Sequence, residues 1–136
     1  MKQTASWLVL GITLAAFSGL AMALKDEIPG VDEIMDITHR PKKGLKDVME
    51  AEAKKPKPDW AKLEKSAKEF TRLISLLEKN DPPKGPKTSW IKLSKEYTQD
   101  AMRIEEAVKQ KDAKAVLAAL KNLDKKCDEC HDKHRP

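Results

Sequence analysis

Apolar residues recur every three or four positions through most of the chain after residue 30, which is the period of amphipathic α-helices. Prolines interrupt this pattern around Pro41, at 56–58 and at 82–86, because proline lacks a backbone donor and disfavours helix at the residue before it. Four helical segments with short connections remain. They predict an all-α fold, an antiparallel four-helix bundle formed by residues 24–136 as one domain.

The first segment runs from Val31 to about Met49. Pro41 must interrupt it, so we expect either a kink or two short helices, with Gly44 easing the turn. The residues expected on its buried face are Val31, Ile34, Thr38, Leu45 and Val48.

The other three segments have recognisable ends. Asp59 is a candidate N-cap of the second helix, which the prolines after Asp81 terminate. The third helix begins near Thr88 or Ser89, and Asp112 is the candidate N-cap of the fourth. The three-four spacing of the fourth helix continues through Ala113, Val116, Leu120, Leu123, Cys127 and Cys130. The two cysteines are therefore expected to point into the bundle.

The first 23 residues are typical of a secretory signal peptide. Lys2 gives a positive start, an apolar core follows from Leu8 to Leu20, and Ala21-Met22-Ala23 is a small-x-small cleavage site. We expect cleavage after Ala23, no membrane span afterwards and a periplasmic location. The alternative is an uncleaved anchor, although the apolar stretch is short beside the about 20 residues of a spanning helix.

The formal net charge is +5. Basic and acidic residues alternate along the helices, and no recognition motif for nucleic acid is present, so nucleic acid is not an expected partner. A basic protein can dock acidic partners, but a lysine-rich helical surface exposed to solvent gives the same composition.

The only two cysteines lie in the sequence Cys127-Asp128-Glu129-Cys130-His131. C-x-x-C-H is the attachment signature of c-type haem. Residues i and i+3 share a helix face, so two thiols at this spacing can each add to one vinyl group of the same porphyrin. His131 can then ligate the iron, and we predict one covalently bound haem c.

Two alternatives compete with haem. A thioredoxin-like pair of thiols requires a βαβ context, which this sequence lacks. A zinc site formed by Cys127, Cys130, His131 and His134 would crowd four ligands onto barely two helical turns.

The chain resembles the class II c-type cytochromes, the cytochrome c-prime and c556 group, which are four-helix bundles with C-x-x-C-H near the C-terminus. Arg135 lies four residues after His131, as in the family, and the resemblance implies that it partners a haem propionate. His134 occupies a position where the family often has an aromatic residue.

The resemblance also bears on the distal side of the iron. In c556-like proteins a methionine of the first helix binds the iron, and Met35 fits that position, although the basic residue often found a turn earlier is missing. In c-prime proteins an apolar residue there leaves the iron five-coordinate. His39 lies one turn after Met35 on the same face and is the alternative distal ligand. Since His39 is nearer the break at Pro41, we expect its ring to turn outward and Met35 to be the ligand.

The function expected from these features is one-electron transfer between redox partner proteins, which could include acidic ones, by a protein that is not an enzyme. The alternatives are a five-coordinate haem protein that binds small gases and a non-haem metal-binding helical protein. The resemblance makes a homodimer a candidate assembly.

Overall fold

The protein is described over residues 27–136 by a computed structural model, in which every regular element is helical. The predicted signal peptide, residues 1–23, and the expected mature N-terminus at Leu24 lie outside this range. The α-helices are α1 Val31–His39, α2 Leu45–Ala53, α3 Trp60–Ser75, α4 Lys87–Lys109 and α5 Ala113–His134, and a short 3₁₀-helix, Leu77–Lys79, follows α3. Within residues 27–136, no helix combines the length and the apolar character needed to cross a membrane.

The first predicted segment consists of two separate helices. After α1 ends, the backbone N–H groups of Lys43 and Gly44 both donate to the Arg40 carbonyl, and Lys42 has a positive φ of 65°. A Cβ on Gly44 would lie 2.6 Å from the Arg40 nitrogen, so this close approach requires glycine. The turn also resets the helical phase, which explains why Met49 is fully buried and Val48 only half-buried, contrary to the sequence prediction.

The predicted N-caps of α3 and α5 are both present. The Asp59 carboxylate accepts from the Lys62 N–H at 3.0 Å, and the Asp112 carboxylate accepts from the Ala115 N–H at 3.0 Å. Each cap satisfies a backbone donor that the first turn of a helix otherwise leaves unpaired. The third predicted segment begins at Lys87, within two residues of the expected start.

The helices pack around one apolar core. α4 lies between α3 and α5 and packs extensively on both, while α2 packs on α3 and α5, and α1 on α2 and α3. Burial of each large apolar side chain contributes about 1.5–3 kcal/mol relative to exposure. The largest apolar side chains that are fully buried are Phe70, Ile34, Met49, Leu63, Leu73, Ile74, Ile104, Leu120, Leu123 and Val116.

A buried carboxylate joins α2 to α3. Glu52 is only 3% exposed, and it accepts hydrogen bonds from the Lys55 ammonium at 2.8 Å, the Asp59 N–H at 3.0 Å and the Lys62 ammonium at 3.1 Å. The hydrogen bond from Lys55, and then that from the Asp59 backbone, lowers the pKa of Glu52 to about 2. The ionised Glu52 carboxylate therefore stabilises the connection between α2 and α3.

Candidate functional site

A cavity of about 620 Å³ opens between α1, α4 and the C-terminal half of α5. Its volume is within the range of about 300–1,000 Å³ that is usual for small-molecule and cofactor sites. The structure brings all the sequence-predicted site residues together on its wall: Cys127, Cys130, His131, Arg135, Met35 and His39.

The two cysteines are free thiols on one side of α5, and both are half-buried against the core. They continue the apolar seam as predicted. Burial raises the pKa of both the Cys127 and the Cys130 thiol. Thioredoxin-like chemistry uses a thiol of lowered pKa, so this environment does not favour that alternative.

His131 and Arg135 are exposed residues at the cavity mouth. His131 follows Cys130 directly on α5, and Arg135 is the C-cap residue of that helix. Among residues 27–136, none forms an ion pair with Arg135, so its guanidinium can receive an anionic group at the mouth. Nearby, the Lys126 ammonium bridges α4 and α5 through Glu96 at 2.9 Å and Glu129 at 3.2 Å.

Met35 and His39 both lie on the cavity side of α1, and both are half-buried. The expectation that His39 turns outward is wrong. Its ring packs inward against Phe70 and Tyr97, with ring centroids 5.6 Å and 5.9 Å apart. Burial, reinforced by the charge of Lys46, lowers the pKa of His39 to about 4, so the imidazole is neutral at neutral pH.

Tyr97 connects α1 to the cysteine motif. This residue on α4 is 7% exposed, and its hydroxyl oxygen lies 2.5 Å from His39 Nε2 and 3.4 Å from Cys127 Sγ. Sequence reasoning placed Tyr97 only among the apolar residues of its helix. The available signal was the hydroxyl itself, since a buried tyrosine usually finds a hydrogen-bond partner.

His134 has a structural role that sequence reasoning missed. It is 2% exposed, its Nδ1 lies 2.7 Å from the Lys84 carbonyl oxygen, and its Nε2 lies 3.1 Å from Ser89 Oγ. The ring also meets Trp90 edge to face at 5.4 Å. His134 thus packs as an aromatic residue would, while fastening the loop before α4 to the end of α5.

The zinc alternative has no support from these positions. In the part of the chain that the structure describes, no three His, Cys, Asp or Glu residues are grouped so that they could hold a metal ion. Both ring nitrogens of His134 already have partners in the loop before α4.

The cavity fits a bound group with a polar contact. Ser94, which is 2% exposed and lines the cavity, has a buried hydroxyl with no hydrogen-bond partner among residues 27–136. Leaving a buried hydroxyl unpaired costs about 1–3 kcal/mol. A haem pocket needs attachment points, an axial ligand and polar contacts. The two thiols, the His131 imidazole and the Ser94 hydroxyl on this cavity could supply them.

Comparison with protein-family models gave a match that agrees with this geometry, whereas comparison with curated proteins and with solved structures gave none. Residues 86–135, which contain α4, α5 and the whole cysteine–histidine motif, match the family model described as Cytochrome C'. That family implies haem binding, and the match supports the assignment of the chain to the class II c-type cytochromes.

Proposed function

We propose that the protein is an exported mono-haem c-type cytochrome that carries single electrons between redox partners. The observation that carries the proposal is that one cavity is lined by Cys127, Cys130, His131 and Met35. The first three of these residues also lie within the stretch that matches the cytochrome family. When bound, haem supplies a one-electron ferric/ferrous couple whose potential depends on the axial ligands and the surrounding pocket.

The thiols and His131 would hold the group. Cys127 and Cys130 lie three residues apart on one face of α5, so each can form one thioether with the same porphyrin. His131 would be the proximal ligand, and Arg135 at the mouth would pair with a propionate. We further propose that α1 and α2 together correspond to the first helix of the four-helix bundle, with α3, α4 and α5 as the other three.

Met35 is the distal ligand that we propose. Its thioether lies on the cavity side of α1 and is soft and neutral, so it favours ferrous iron and raises the potential relative to a second histidine. With His131 and Met35 both supplied by the protein as ligands, the bound group would keep the same ligands in both oxidation states, which suits electron transfer.

The wider setting follows from the sequence. The predicted signal peptide supports export, and proteins of this family are typically periplasmic. The net charge of +5 supports redox partners with acidic docking faces, and we propose a carrier role without catalysis of its own. A homodimer stays a prediction, to be tested by the mass of the protein in solution.

The ferric absorption spectrum distinguishes electron transfer from gas binding. We expect low-spin iron with a sulfur-to-iron band in the far red. Met35→Ala should remove this band and give high-spin iron that binds carbon monoxide, whereas His39→Ala should leave the band intact. High-spin ferric iron in the unmodified protein would contradict the proposal and favour gas binding.

A further inference from the structure

A directed chain of hydrogen bonds runs from α5 through α4 to α1. It contains Cys127 Sγ, the Tyr97 hydroxyl, both ring nitrogens of His39 and the Thr38 hydroxyl, which is fully buried. The chain ends on the Ile34 carbonyl oxygen, 2.5 Å from Thr38 Oγ1.

The last hydrogen bond sets the direction of the others. A carbonyl oxygen can only accept, so the single hydroxyl proton of Thr38 is donated to Ile34. The Thr38 oxygen, 2.6 Å from His39 Nδ1, must then accept from an Nδ1–H. In a neutral imidazole the other nitrogen is an acceptor, so Tyr97 donates its O–H to the Nε2 lone pair.

This direction matters because Nε2 is then the only ring nitrogen of His39 that could bind a metal. We propose that Tyr97 is a ligand-selecting residue: by donating its hydroxyl proton to Nε2 it keeps His39 off the iron and leaves the distal position to Met35. The proposal rests on the haem-binding function proposed above and deepens it.

Attachment of haem would not disturb the selecting hydrogen bond. Thioether formation removes the Cys127 thiol proton, which by this direction is donated to the Tyr97 oxygen. The Tyr97 hydroxyl, in contrast, still donates its hydrogen bond to His39 Nε2. Coordination by His39 would leave the 7%-exposed Tyr97 hydroxyl without its acceptor. An unpaired buried hydroxyl disfavours the His39-bound state by roughly 5- to 150-fold.

Tyr97→Phe in the haem-loaded protein tests the proposal. It keeps the ring packing on His39 and Phe70 and removes only the hydroxyl. We expect the ratio of His39-bound to unbound iron to rise by roughly 5- to 150-fold. The far-red sulfur band should weaken, the electron-paramagnetic spectrum should show bis-histidine low-spin iron, and the reduction potential should fall.

Two controls make the result specific. Adding His39→Ala to Tyr97→Phe should abolish the bis-histidine signal, because the one histidine then left besides His131 is His134, whose ring nitrogens already have partners at Lys84 and Ser89. Thr98→Val removes another α4 hydroxyl, one that donates to the Ser94 carbonyl of its own helix, and should leave the axial ligands of the iron unchanged.

A direct observation on the unmodified protein completes the test. The ¹⁵N chemical shifts of His39 in the diamagnetic ferrous protein should show the Nδ1–H tautomer with a hydrogen-bonded Nε2. Iron bound to Nε2 in the unmodified protein, or a Tyr97→Phe spectrum without any gain of His39 ligation, would overturn the proposal. Since the readout is ligation by His39, it decides the role of Tyr97 even if Met35 proves not to be a ligand, whereas absence of covalent haem would refute the proposed function instead.

Discussion

His134→Ala should remove the contacts that hold the end of α5 against the loop before α4, and so destabilise the protein. The substitution removes the hydrogen bond to the Lys84 carbonyl, the contact with Ser89 and the edge-to-face packing on Trp90. A hydrogen bond contributes about 0.5–1.5 kcal/mol and an aromatic pair about 0.5–1.5 kcal/mol beyond burial. The three contacts together predict a loss of about 3 kcal/mol in the free energy of unfolding.

His134→Phe separates the two kinds of contact. Phenylalanine keeps the ring against Trp90 but cannot donate to the Lys84 carbonyl, so about 1–2 kcal/mol of the loss should remain. Gly85 is a related site, because it has a φ of 79° and its Cβ would lie 2.8 Å from the Lys133 carbonyl oxygen. Gly85→Ala should therefore destabilise the same junction.

Urea unfolding of the haem-loaded protein, followed by far-ultraviolet circular dichroism, measures these differences. For a domain of this size, 3 kcal/mol corresponds to a fall of roughly 10–20 °C in Tm. An unfolding free energy of His134→Ala within about 0.5 kcal/mol of the unmodified protein would refute the reasoning, because that is the range of ordinary surface substitutions.

Three further predictions concern stability and processing. Hydrogen bonds from Lys55, the Asp59 backbone and Lys62 hold the pKa of Glu52 at about 2, below the ordinary 4.5. The contribution of ionised Glu52 to stability is therefore complete above pH 4.5 and is lost as the pH falls towards 2. Acid titrations should show that Glu52→Gln lowers stability at pH 7 and flattens this dependence, unlike Glu64→Gln at an exposed pair. Phe70→Ala should cost about 3–5 kcal/mol in urea unfolding, since the ring is fully buried. N-terminal sequencing of protein recovered from the periplasmic fraction should give Leu24 as the first residue, and an intact N-terminus in the membrane fraction would favour the uncleaved anchor.

Much of the architecture could be predicted from the sequence because its signals are local. Helix period, proline breaks and the caps at Asp59 and Asp112 depend on residues within a few positions of one another. The same periodicity predicted that Cys127 and Cys130 face the core, and the structure places both against it.

Features that depend on distant contacts could not be predicted. Which face of α2 is buried depends on the close approach of Gly44 to the end of α1, and the spacing of apolar residues gives no sign of that contact. The inward position of His39 depends on Tyr97, 58 residues away, and the burial of His134 depends on the loop at Lys84, 50 residues away. On local grounds both histidines would be taken for surface residues, because the hydrogen-bond partners of their ring nitrogens are brought close only by the packing of α4 and the loop before it.

The intact mass of the mature protein after acid-acetone extraction tests the central claim most directly. Two thioethers through Cys127 and Cys130 predict that the polypeptide stays red and exceeds its sequence mass by one haem. Cys127→Ala and Cys130→Ala should each weaken or abolish this retention, because each removes one attachment point. A colourless protein of bare polypeptide mass, produced in a host with working haem maturation, would contradict the account.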